Sequence, residues 1–201
     1  MLFIDFLTLM LLNMAAGFVV LAAFLLMGLP SGDWKRWVAS FAIVGLVAIV
    51  TGFHMTFAWP LPGSYSSAFG EMSVLLGAIY LGIALSLAMG WGLGPLVIYG
   101  IFAGLAAVLL GIRFVMIEPP MTAKPALSCV GFVLSGGGGI LAVLAFCKPL
   151  SRFLRTAGAV ALILAALIWA MTAYPAYWMH MKHFSDWKPS TFQVVQPLAQ
   201  K

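Results

Sequence analysis

The chain has 201 residues, 64% of them apolar and only 7% charged, with ten Lys or Arg against five Asp or Glu. A water-soluble domain carries about 25% charged and about 45–50% apolar residues. This chain therefore has too little polar side chain to coat a wetted surface, which excludes a soluble enzyme, a disordered protein and a free nucleic-acid binder. Its net charge of +5 comes from scattered cations rather than a patch suited to nucleic acid. The class that remains is an integral membrane protein whose first partner is the lipid bilayer.

A bilayer core about 30 Å thick takes about 20 apolar helical residues to cross. Six stretches reach that length: 6–29, which stops at Pro30-Ser31-Gly32-Asp33, then 37–59, 70–89, 95–116, 125–146, and 153–174 with a continuation towards 184. The runs are unbroken rather than alternating over about ten residues, which argues against a transmembrane β-barrel. A helix satisfies its own backbone in lipid. The expectation is an all-α integral membrane protein, a bundle of six transmembrane helices over residues 1–184, with an extended tail over 185–201. The first span carries Asp5 in place of a cationic leader and is too long for a signal-peptide core, so it reads as a retained helix.

Cations close to helix ends orient a membrane protein. Lys35 and Arg36 fall in the first link, and Lys148, Arg152 and Arg155 in the fifth, on one side of a six-span bundle. The other side holds as many, but more dispersed: Arg113, Lys124, Lys182, Lys188 and Lys201. The clustering places both termini outside a prokaryotic inner membrane. Cys129 and Cys147 sit near opposite ends of the fifth span, too far apart for a disulfide.

Small residues mark two of the spans. Gly100 and Gly104 form a G-x-x-x-G pair that Gly111 continues at a seven-residue spacing. Such a stripe lets helix backbones approach closely in lipid, and packing within the chain is the leading expectation. Ser135 is followed by four glycines, 136–139, in the middle of span five. Each glycine costs about 1 kcal/mol of helix propensity relative to alanine. The run reads either as a flat face for a neighbouring helix or as a broken helix lining a cavity. No matching break occurs in spans one to three, which counts against an inverted-repeat transporter.

Ionisable groups inside a membrane are expensive and mark candidate functional positions. Here they gather towards the outer face: His54 near the end of span two, Glu71 in the opening of span three, Arg113 and Glu118 at the end of span four, and His180 and His183 at the end of span six. On a helix, His180 and His183 share a face. Met55, Met72, Met116, Met121, Met179 and Met181 fall on the same side. Imidazole with thioether suits copper, above all Cu(I). The same histidines, taken from two helices, suit the axial positions of a haem b, with Arg113 as the cofactor-binding partner of a propionate. The metal-site candidates are His54, Glu71, His180 and His183, with Met55, Met179 and Met181 as softer ligands.

Between spans two and three, Trp59-Pro60-Leu61-Pro62-Gly63-Ser64-Tyr65 reads as a stiff turn, with Pro62-Gly63 suited to the centre of a type II turn. The segment from His54 through this turn to Phe69-Gly70-Glu71 resembles the signature of an uncharacterised prokaryotic multi-pass membrane protein family, a domain of unknown function. That resemblance implies an inner-membrane helical bundle and carries no activity with it.

The first functional reading is an electron-transfer or copper-handling subunit with an outer-face metal or haem site, associated with other membrane subunits or with itself. The alternatives are a small-solute transporter or channel, with a water-accessible path near glycines 136–139, and a purely structural accessory subunit. An enzyme acting on lipid is weakest, because no Ser/His/Asp or paired-carboxylate arrangement is evident.

Overall fold

The computed structural model describes residues 6–61, 64–117, 124–148 and 151–183. Among them the regular structure is helical, and six helices are long and apolar enough to cross a membrane. Helix α1 covers Phe6–Ala23 and continues through a π-helical turn, Phe24–Gly28, into a last turn, Leu29–Ser31. A short 3-10 turn, Lys35–Trp37, leads into α2, Val38–Ala58. Helix α3 opens with a second π-helical turn, Ser66–Glu71, and continues as Met72–Met89. Then come α4 (Leu96–Phe114), α5 (Pro125–Cys147) and α6 (Arg152–His183), the last running through Pro175.

Local chemistry sets the ends. Gly90 adopts the left-handed region at φ 73°, and the Trp91 amide then reaches the Ser86 carbonyl at 2.8 Å. This six-to-one closure is the glycine-capped stop of a helix. Trp59 closes α2 in the same left-handed region although it carries a side chain, at φ 46°. Pro125 occupies the first turn of α5, where its missing amide leaves no helical bond unmade.

The six helices form a closed ring: each packs against its chain neighbours, and α1 packs against α6. Two seams in the ring are made by glycine. At α4/α5, a side chain on Gly100 would lie 2.5 Å from Val143, and one on Gly104 would lie 2.5 Å from Ile140. Gly111 meets the Cys129 carbonyl and Phe132 in the same way. The expected stripe is thus an intramolecular seam. The α2/α3 seam pairs Gly45 and Gly52 with Gly70 and Gly77, both seven apart, against backbone atoms of the opposite helix. The α1/α6 contact uses alanines instead, with Ala15, Ala22, Ala159, Ala165, Ala166 and Ala173 buried. The α3/α4 contact is the thinnest of the six.

Candidate functional site

Inside the ring lies a cavity of about 80 Å³, lined by five of the six helices. Met14, Phe18 and Leu21 of α1 face Met72, Leu76 and Ile79 of α3, the small residues Gly100, Ala103, Gly104 and Ala107 of α4, and Ser135, Gly136 and Gly139 of α5. Leu162 of α6 completes the wall. A single water needs about 10–15 Å³, so the space suits a small molecule.

The described lining carries no charged side chain, and its two side-chain hydroxyls already have partners. Tyr80 crosses from α3 to donate its hydroxyl to the Gly17 carbonyl of α1 at 2.7 Å, fully buried. Ser135 donates to the Gly131 carbonyl at 2.7 Å and accepts from the Trp169 indole at 3.0 Å. The Tyr80 and Trp169 bonds tie helices together, while the Ser135 bond to Gly131 stays within α5.

Two aromatic clusters flank the cavity, sharing Phe146 and Phe132 with its wall. Towards the cationic links, the Phe24 ring of α1 lies 5.4 Å from Phe41 of α2 and 6.3 Å from Phe146 of α5, with Trp37 at 5.7 Å. At the other end, Phe69 of α3 is 5.4 Å from Phe132 of α5, 6.2 Å from Phe114 of α4 and 6.1 Å from Trp169 of α6. Phe132 and Trp169 are themselves 5.0 Å apart, edge to face. Such pairs are favourable beyond their buried area. The central ring of each cluster, Phe24 or Phe69, sits in one of the two π-helical turns described above. A π-turn is uncommon and recurs at functional positions.

Helix α5 runs without a break through its four glycines. Gly136 lies directly on the Gly104 carbonyl, and a side chain on Gly138 would lie 3.0 Å from Leu162. Packing therefore accounts for these two, and Gly136 and Gly139 also reach the cavity wall.

Those predicted site residues that the structure describes fall at helix ends away from the cationic links. Met55 is fully buried, facing the core. His54, one residue before it, is exposed on the flank of α2. Glu71 is exposed and accepts a 2.7 Å hydrogen bond from Ser67 within its own π-turn. His180 is half-buried near the end of α6, while Met179 and Met181 beside it are 54% and 77% exposed. The His183 side chain, Asp5, Glu118, Met121, the Pro62-Gly63 turn centre and the 185–201 tail lie outside the described residues. Arg113 is exposed and, with Ser64, Ser67 and Phe114, lines a wider open recess of about 380 Å³ just beyond the Phe69 cluster. Burial raises the Tyr65 phenol above its usual value at this rim, so it stays protonated.

The family comparison agrees with the resemblance carried by the segment from His54 to Glu71. The chain belongs to the family "Protein of unknown function (DUF981)", which it matches over residues 1–183. Among curated proteins nothing matches this DUF981 chain. Among solved structures it is similar to the Helicobacter pylori urea channel in the closed state, seen by cryo-electron microscopy. The TM-score is 0.65 at 19% identity, over 88% of this chain and 98% of that one. The crystal structure of the urea channel from the human gastric pathogen Helicobacter pylori gives 0.61 at 21% identity, over the same shares. At such identity the likeness is one of fold.

These findings correct the leading functional reading. Among the described residues, no three His, Cys, Asp or Glu side chains come together to hold a metal ion. The fold is one that urea channels share, with the cavity inside the ring and the histidines at its edge. The assignment as a copper or haem electron-transfer subunit is therefore withdrawn in favour of the small-solute alternative. Sequence reasoning erred by weighing titratable residues above shape. Phe69 entered only as part of the resembling segment, and Phe24, Phe132 and Trp169 have no contrast with their surroundings in so apolar a chain.

Proposed function

We propose that this protein is a passive channel for small, uncharged polar solutes. The observation that supports the reading best is the cavity inside a sequential ring of six helices, with no charged side chain in its described lining and an aromatic cluster on either side. An ion entering such a lining would lose its hydration with nothing to replace it, at a cost of many kcal/mol. A small neutral solute loses only a few hydrogen bonds. No charged side chain lines the cavity to couple passage to an ion gradient, which favours facilitated diffusion over pumping. The fold likeness to urea channels points to the same class of solute.

In this reading the end with Lys35, Arg36, Lys148, Arg152 and Arg155 faces the cytoplasm of a prokaryotic inner membrane. The recess beside Arg113 is then the outer vestibule. The outward face of α4, where Ile98, Phe102 and Leu109 are each at least 70% exposed, is where we place self-association.

The test is osmotic swelling of proteoliposomes, followed by light scattering with urea, formamide and glycerol. The reading expects faster entry of the smaller solutes than in protein-free vesicles, unaffected by ionophores that collapse ion gradients. Entry no faster than in empty vesicles for every solute of the panel would overturn it.

A further inference from the structure

The four glycines of α5 are not equivalent, and their difference identifies a residue that sets the bore. Gly136 and Gly138 meet neighbouring helices, so their lack of a side chain is explained by packing. Gly137 and Gly139 are different: a Cβ added at either meets nothing within 4 Å. Neither glycine is needed for fit, and both carry a propensity penalty that alanine would remove. Two residues apart on a helix, they point in widely different directions. Gly139 lines the central cavity and Gly137 does not.

From this contrast we propose that Gly139 is the size-selecting position of the solute path: it is kept as glycine to preserve lumen width, not to let helices pack. The inference rests on the channel reading above and adds the residue that decides which solutes pass. Ile79 and Leu76 of α3 line the same cavity as Gly139. Every carbon added at position 139 therefore enters the space a solute needs. A methyl group narrows it, and the four carbons of leucine narrow it further. The lining helix itself stays helical, because alanine and leucine both favour that conformation over glycine.

The matched substitution at Gly137 makes the proposal testable. It is the same chemical change on the same helix, into space that is equally free but outside the lumen. Wild type, Gly139→Ala, Gly139→Leu and Gly137→Leu would be reconstituted at equal density, with thermal unfolding in detergent recorded for each. The expected result is a graded loss of flux at position 139: the alanine variant slows glycerol more than urea, and the leucine variant falls to the level of empty vesicles. Gly137→Leu keeps wild-type flux, and none of the variants unfolds at a lower temperature. Equal flux through Gly139→Leu and Gly137→Leu, with wild type conducting, would overturn the size-filter role while leaving the channel reading intact. An inactive wild type would overturn both. If Gly139→Leu does not fold, the alanine variant decides: an unchanged urea-to-glycerol ratio sinks the proposal.

Discussion

The rim away from the cationic links and the cavity inside this bundle are built from opposite materials. The rim holds the groups that attract chemical attention: His54, Glu71, Arg113 and His180, with Met179 and Met181 beside them, mostly exposed and spread over four helices. The lumen holds none of these. Its described wall is mostly leucine, isoleucine, alanine and glycine, its hydroxyls are bonded to backbone or indole, and phenylalanine and tryptophan clusters flank it. The contrast teaches that expense in the membrane is a poor guide to function when the path admits only uncharged molecules. For such a path the informative residues are those that control width, glycine and the aromatics.

If width is the controlling variable, the largest effects come from the aromatic closures. Phe69 is 7% exposed and touches rings from α4, α5 and α6. Phe69→Ala is expected to destabilise the bundle by about 3–5 kcal/mol, the usual range for a buried phenylalanine. Its effect on flux has the opposite sign. Each ~1.4 kcal/mol removed from a barrier is about tenfold in rate, so urea entry is expected to rise by about tenfold. Stopped-flow swelling of the variant checks this. Unchanged flux in a folded variant would mean that the Phe69 cluster packs the ring and does not close it. Phe24→Ala makes the corresponding case at the cationic end, where its ring is fully buried.

A smaller effect separates fastening from lining. Tyr80 lines the cavity with its ring but gives its hydroxyl to the Gly17 carbonyl. Tyr80→Phe keeps the ring and removes one buried hydrogen bond, an expected loss of about 1 kcal/mol. It is read as a lower unfolding temperature with flux unaltered. A marked fall in flux would mean instead that the hydroxyl turns towards the passing solute.

Much of the fold was legible in the amino-acid sequence, because a bilayer imposes a length rule and a satisfied backbone. All six spans were placed to within a few residues of the helices, and the Gly100–Gly104–Gly111 stripe became the α4/α5 seam. The Gly45/Gly52 and Gly70/Gly77 seam has the same seven-residue spacing and was open to the same reading. The site was far less legible. Closure of the ring depends on α1 meeting α6, a long-range contact that no local pattern encodes. The two π-turns, Phe24–Gly28 and Ser66–Glu71, have no composition signature that sets them apart from α-helix. Glycines 136–139 were noticed, but only contacts separate Gly136, pressed on a neighbouring carbonyl, from Gly139, which faces open space.

The smallest expected effects lie at the rim, and they test the comparison from its other side. Glu71 is itself exposed and accepts its bond from Ser67, and Arg113 lines an open recess. Surface substitutions of this kind usually change stability by no more than about 0.5 kcal/mol. Glu71→Gln, Arg113→Gln and His54→Ala are therefore expected to leave unfolding temperatures close to wild type. They should also leave urea flux unchanged, because a neutral solute meets no Coulomb barrier in the vestibule. Arg113→Gln is the sharpest of the three, since it removes the one charge in the described lining of that recess. If flux of a neutral amide falls several-fold while the unfolding temperature holds, the vestibule recruits solute through this guanidinium. The rim would then share control of passage with the lumen.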